Sequence, residues 1–401
     1  MTVHRMRMAM GIAFPVLMSA ACAGPAERSP SFTTRDSAGV RVVTNARPLW
    51  QDGEGWLIDS VPSVAFGADE GDTVAMLQRV AGAMLRSDGT YAVADGGSSQ
   101  VKYFDAGGRF LRAVGRSGQG PGEYEYIAWL LACGGDSAFV SDIGNNQVSV
   151  LDASGQLVRR FRLMTSEVVA TPFSTACARS GHFVTSGWGT PPRDIMPSRP
   201  YRPQVAVDLS CSDGRVRRAL GTFPGTEMTP VMGGAGPTLG GRWLRIGIGN
   251  RQAWLAPNDG RGLIAVDTTG VVRLVVRLAS DDKAMTAADV SFLVRQTLDS
   301  SGNVQRRAQR ERELATQEFP TRLPAHFNLV VDALDHVWVQ EHPRADASNP
   351  PWHIVRPDGV WLGARTMPSA ARPLEIGGNY VLALRSSSGG GDEVVRFVLR
   401  R

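Results

Sequence analysis

Lysine is almost missing from this chain: of 43 basic residues only Lys102 and Lys283 are lysines. The other basic residues are arginines scattered along the sequence. They form no stripe, so the formal charge of +5 does not describe a nucleic-acid-binding face. Arg5 and Arg7 account for two of those charges in a segment expected to be removed. There is no Cys-x-x-Cys and no His-x-x-x-His, which removes the usual zinc spacings. There is no Gly-x-Ser-x-Gly elbow and no Gly-Lys-Ser, and no carboxylate pair stands out as an acid and a base. The one sustained apolar run, Met8 to Met18, is too short to span a bilayer stably. Neither a metal nor a cofactor is expected from what remains.

What is abundant is turn chemistry, with 45 glycines and 24 prolines beside a hydrophobic content of 43%. That combination suits a turn-rich β protein with ample core. From residue 85 one unit is written twice. Leu85-Arg-Ser-Asp-Gly-Thr-Tyr-Ala-Val-Ala-Asp95 is followed by Gln100-Val-Lys-Tyr-Phe-Asp105 and Gly108, and an offset of 47 leads to Asp142, Gln147, Val148, Asp152 and Gly155. A repeat of this length marks a stacked array or a propeller. Short β-branched and aromatic runs bounded by Asp-Gly and Gly-Gly-Ser-Ser read as strands joined by tight turns. In the Asp-x-x-Gly turn the carboxylate bonds its own backbone two residues on, and Gly accepts a positive φ.

Six such turns end at Gly39, Gly108, Gly155, Gly214, Gly270 and Gly359, and predict an all-β, six-bladed β-propeller over residues 36–401. The strand after the first turn, Val40 to Val43, has no blade in front of it. Two C-terminal strands, Tyr380 to Leu384 and Glu393 to Leu399, lack a following turn. Val40 to Val43 is therefore expected to complete the last blade and close the ring, which protects edges that an open array leaves unpaired. The run Ser63 to Phe66 reads as the lead-in to blade one.

Between blades four and five, at about 281–319, the period turns helical. Thr286-Ala-Ala-Asp289 resembles a capping box, and Val290, Leu293, Val294 and Leu298 fall on one face. A second helix, Asn303 to about Glu318, is rich in Arg and Glu and reads as a solvated face. In blade three a long Pro-rich loop, residues 187–201 with Trp188 and Tyr201, either binds a partner or caps one end of the barrel.

The chain opens as an export segment, residues 1–22, followed by a tether at 23–35. Ser19-Ala-Ala-Cys22 resembles the lipidation site of bacterial lipoproteins, with Ser19 where Leu is usual; cleavage after Ala23 is the alternative. With Ala23 after Cys22, that resemblance implies an outer-membrane anchor facing the periplasm. Cys133, Cys177 and Cys211 then remain in an oxidising compartment, with Cys177–Cys211 as the expected pair and Cys133–Cys177 as the alternative.

Gly115, Gly118, Gly120, Pro121, Gly122, Glu123 and Tyr124 form a run that resembles the blade crossover of a six-bladed propeller family of bacterial envelope proteins, related to NHL-repeat proteins. No helix follows the run, so it reads as a crossover and not as a phosphate loop. His326, His336, His342 and His353 gather with Asp332, Asp335 and Glu341 in blade five and read as turn and loop residues.

Propellers bind at a mouth of the central channel, where the inner strands begin. By register those positions fall near Arg79, Glu125, Glu167, Arg242, Asn328 and Arg372, with His326 beside them. The expected function is non-catalytic: an envelope lipoprotein that binds or scaffolds an anionic small molecule or a peptide or protein partner at this mouth. The alternative is a metal-dependent hydrolase of the lactonase or esterase type. The arginines oppose a cation, which favours binding.

Overall fold

The computed structural model describes residues 30–401, apart from residue 70 and the stretches 167–171, 179–180, 188–198, 232–233, 280–282, 301–303 and 387–390. The export segment, Cys22 and most of the blade-three loop lie outside the described residues. The chain divides into Met1–Pro30 and Ser31–Arg401. The second unit is a ring of six antiparallel blades.

Blade one runs Val80–Leu85, Tyr91–Asp95, Gln100–Phe104 and Phe110–Val114, each strand paired with the next. Its two middle strands are buried on both faces and its outermost strand is half open. This is the pattern of a sheet sandwiched between neighbouring sheets and wet only at its rim. The inner strands crowd the axis. A Cβ on Gly82 would lie 2.6 Å from the carbonyl oxygen of Leu130 on blade two, so only glycine permits the approach.

The 47-residue repeat has a mechanical basis in two carboxylates at the ends of second strands. Asp95 accepts from the backbone of Gln78 at 3.1 Å and Gly97 at 3.1 Å, and from Ser98 Oγ at 2.7 Å. Asp142 accepts from the backbone of Glu125 and Tyr126, both at 2.8 Å. Each thus ties the lead-in of its blade's inner strand to the strand beside it. The Gly-rich run is a crossover, as expected. Glu123 turns back to accept from Gly120 N–H at 2.8 Å and Arg116 Nε at 2.7 Å, and Tyr124 is buried between blades one and two.

Blade two spans Ile127–Ala132 to Leu157–Phe161, and blade three Pro172–Cys177 to Val216–Pro224. Blade four runs from Arg245–Ile248 to Val272–Leu278, and blade five from Asn328–Val331 to Trp361–Arg365. Blade six has Arg372–Ile376, Tyr380–Ser386 and Asp392–Arg400 from the C-terminus.

The ring closes with an N-terminal strand, but a different one from that expected. Val64–Phe66 pairs antiparallel with Val394–Arg396 and supplies the fourth position of blade six. Val40–Asn45 instead runs parallel to Val272–Leu278 and extends blade four, carrying Phe32–Ser37 outside it. The Asp36 turn is the tip of that hairpin, which explains how six turns accompany only five third-to-fourth-strand reversals. Between these two attachments the segment follows blade five. The buried Asn45 donates to Gly359 O at 3.0 Å and accepts from Trp361 N–H at 2.9 Å, and Trp50 N–H donates to Leu362 O at 2.7 Å. The N-terminal segment is thus a strap over the outer edges of blades four, five and six.

The disulfide also differs from the favoured pairing. Cys133 and Cys177, at the ends of the inner strands of blades two and three, are bonded with their Cα atoms 5.7 Å apart; Cys211 is free. Cys177 pairs in register with Phe183, and Phe183 with Ser210, so Cys211 lies two strands farther out. Two strand spacings are about 9.5 Å, beyond the reach of a disulfide.

The helical insertion forms as its sequence indicates. Helix α1 (Ala287–Asp299) opens on a complete capping box between Thr286 and Asp289 and buries Leu293; α2 (Val304–Ala315) buries only Leu314, with Arg310 and Glu313 half-buried beside it. No helix among the described residues is long and apolar enough to cross a membrane.

Candidate functional site at the channel mouth

The six inner strands enclose the axis. Where they end, a cavity of about 230 Å3 of mixed lining is bounded by apolar residues such as Ala83, Leu131 and Ile376 and by Asn250, Asp335 and Glu375. Where they begin, a polar cavity of about 370 Å3 is walled by Trp129, Ser186, Thr226, Trp243, Arg245 and Arg372.

Two arginines dominate this mouth. Arg245 opens the inner strand of blade four, with its guanidinium carbon 4.8 Å from the Trp243 ring centroid and 5.6 Å from that of Phe327. Burial lowers its pKa from 12.5 to about 10, and its Nε is buried with no hydrogen-bond partner among the described residues. Arg372 opens the inner strand of blade six and is exposed to the cavity. Burial in the surrounding protein also lowers its pKa, and the charge of Asp392 opposes that shift only in part. Among the described residues neither guanidinium makes a hydrogen bond or ion pair with a carboxylate. Both remain cationic at neutral pH, because even a pKa near 10 leaves the guanidinium protonated.

The residues named from register are placed as follows. Arg372 lines the mouth. Arg242 turns away from it and pairs with Glu227 and Asp259, each at 3.0 Å, in a neighbouring cavity. Arg79 adopts φ 55°, donates to Gly96 O and lies 4.8 Å over the Tyr126 ring, so it fastens blade one to blade two. Glu125 accepts from Gln119 Nε2 at 2.8 Å. Asn328 begins the inner strand of blade five and accepts from Leu329 N–H at 2.9 Å. His326 is only 1% exposed, and its backbone is clasped by the Asn258 side chain of blade four. Glu167 lies outside the described residues.

Of the described positions named from register only Arg372 lines this cavity, and register missed Arg245, three residues beyond Arg242. A signal for it exists. Trp243 and Arg245 are two apart on extended chain, hence on one face, and that is the spacing of a cation stacked on an indole.

The blade-five histidines and carboxylates form structural pairs. Asp332 accepts from the N–H of His336 at 2.9 Å, from Trp338 Nε1 at 3.0 Å and from Arg401 at 2.7 Å. Glu341 accepts from His353 Nε2 at 2.8 Å, and His353 Nδ1 is buried without a hydrogen-bond partner among the described residues. Among the described residues no group of three or more His, Cys, Asp and Glu side chains is arranged to hold a metal ion.

The family model of DUF5128, described as a 6-bladed beta-propeller, matches residues 77–178, from the lead-in of blade one to the end of blade three's inner strand. Among solved structures, the chain resembles a putative exported protein from Bacteroides fragilis NCTC 9343 at 12% identity, with 86% of this chain and 95% of that chain covered and a TM-score of 0.48. It also resembles a DUF4221 family member from Bacteroides vulgatus at 9% identity, covering 86% and 99% of the two chains with a TM-score of 0.45. Virginiamycin B lyase from Staphylococcus aureus matches at 10% identity over 80% of each chain, with a TM-score of 0.41. At these identities the likeness concerns the fold alone. No curated protein matches. The chain is a six-bladed β-propeller with a helical insertion between blades four and five.

Proposed function

We propose that this propeller is a non-catalytic binding protein of the bacterial envelope that takes an anionic ligand at the channel mouth. One observation carries the reading: Arg245 and Arg372 face a recessed cavity of about 370 Å3 and make no carboxylate pair among the described residues. A cation in such a site attracts an anion more strongly than it does in open water, and the guanidinium fork matches a carboxylate or phosphate. Trp129 and Trp243 supply flat apolar walls, so the favoured ligand joins an anionic group to an apolar or aromatic body. Hydrolysis of the lactonase type is disfavoured because a cation bound here would face these two arginines. Arg372→Ala is expected to weaken binding of a probe such as benzoate about tenfold, with little change in stability because the side chain is exposed. Calorimetric titration measures this. Equal affinity in wild type and variant, or calcium-dependent esterase turnover by the purified protein, would overturn the reading.

Localisation follows from the opening segment. The protein is exported and held by a lipid on Cys22; the tether expected at 23–35 is shorter than that, because Phe32–Ser37 is a strand on the flank of blade four. Cys22→Ala is expected to move the protein from the membrane fraction to the soluble one. Unchanged membrane association, or a mature chain that starts at Gly24, would reject the anchor.

A further inference from the structure

A second cavity, of about 410 Å3, opens beside the channel mouth between blades four and five, rimmed by the stretch 320–325 that returns from the helices. It shares no lining residue with the mouth: Arg242 faces this cavity and Arg245 the other. Its size falls within the ~300–1,000 Å3 of small-ligand sites.

Cationic and acidic side chains alternate in its wall: Arg242, Arg261, Lys283, Arg322 and Arg344 line it with Glu227, Asp259 and Glu341, and Arg344 pairs with Asp289 and Asp346 at 3.5 and 3.3 Å. The carboxylates are shared. Asp259 serves both Arg202 and Arg242, while Glu341 serves Arg261, Lys283 at 3.0 Å and His353 at 2.8 Å. His342, also in the wall, is kept neutral by burial. An anion that enters therefore meets donors only partly committed, above all the half-exposed Lys283 and Arg242. The carboxylates of Glu227 and Asp259, which hold Arg242, keep oxygens that can accept hydrogen bonds from hydroxyl groups, and Leu323 and Pro324 offer a small apolar patch.

We propose that this cavity is a second binding site, independent of the channel mouth, for a small hydroxylated carboxylate of the sugar-acid type. The acid group sits against Lys283 and Arg242, the hydroxyls donate to Glu227 and Asp259, and the C–H face lies on Leu323 and Pro324.

The scarcity of lysine gives this idea a clean test. Lys102 is buried in an ion pair with Asp95 at 2.8 Å, so amine acylation followed by peptide mapping reads Lys283 among the lysines. With galacturonate as the probe, the acylation rate of Lys283 is expected to fall about tenfold at saturation. Galactose and sodium sulfate at the same concentration should leave the rate nearly unchanged. Arg242→Gln should raise the galacturonate concentration needed for half-protection about tenfold, and Arg372→Ala should not move it. That last arm separates this site from the channel mouth. Equal protection by sulfate would mean charge screening only, equal protection by galactose would mean the acid group is not recognised, and no protection by galacturonate would mean no site; each overturns the proposal.

Discussion

Replacing Phe66 by alanine is expected to lower the free energy of unfolding by roughly 3–5 kcal/mol. Phe66 ends the strand that completes blade six, yet its ring packs against blade one, with centroids 5.0 Å from Tyr91 and 4.4 Å from Phe104. It is 7% exposed, in a cluster that joins Leu77, Val80 and Phe104 to Tyr380, Leu382 and Val394. One side chain therefore fills the seam where the two ends of the ring meet. Truncating it removes contacts from both partners, and the rigid stacked sheets around it cannot collapse into the space. Equilibrium denaturant unfolding measures the loss. A value under about 1 kcal/mol would show that the seam is held elsewhere.

Five blades were legible because their signals are local, whereas the sixth turn counted, at Asp36, belongs to the hairpin that flanks blade four. An Asp-x-x-Gly turn is fixed by four residues, and the carboxylates of Asp95 and Asp142 act within their own blades. Ring closure was legible only in kind. A strand such as Val40–Asn45 carries no mark of which edge it joins, and its alternation suits the flank of blade four as well as blade six. Val64–Phe66, read as the lead-in to blade one because it comes next in sequence, lies in space beside the C-terminus.

The disulfide followed the same logic. Cys177 and Cys211 share an end of the ring, but radial distance depends on strand position, and two strands separate them. At the mouth, Arg372 was found by register alone, while Arg242 and Arg245 differ by which cavity they enter. Sequence does not settle that difference, because it depends on Glu227 and Asp259 converging on Arg242 from other loops. The strap over blade five was not anticipated at all. It rests on backbone hydrogen bonds that any residue can make, such as Leu49 N–H to Trp361 O at 3.0 Å, and on a single side chain, Asn45, whose distant partners have no local signal.

His326 makes the protein acid-sensitive from the upper side of the acid range. It is fully buried between blades four and five, and neither ring nitrogen has a hydrogen-bond partner among the described residues. Burial lowers its pKa from 6.5 to about 3, the positive charges of Arg261 and His353 push the same way, and Glu341 opposes them. With a folded pKa below the unfolded one, the unfolded chain binds more protons throughout that interval, so stability rises with pH there. The contribution is complete above the unfolded value of about 6.5 and is lost progressively as pH falls toward the folded value of about 3. Between about pH 7.5 and about pH 5 this amounts to roughly 2 kcal/mol. Glu341 has the same sign but acts lower. Despite burial, its hydrogen bond from His353 and the charge of Arg261 hold its carboxyl below the usual range, so its contribution begins to fade only near its ordinary value of 4.5. His326→Leu forfeits no hydrogen bond and removes the upper titration alone. The variant's loss of stability between about pH 7.5 and about pH 5 is expected to be smaller than the wild type's by roughly 2 kcal/mol. Denaturant unfolding at the two pH values measures both. Parallel profiles would show that His326 reaches solvent in the folded protein and titrates there as it does in the unfolded chain.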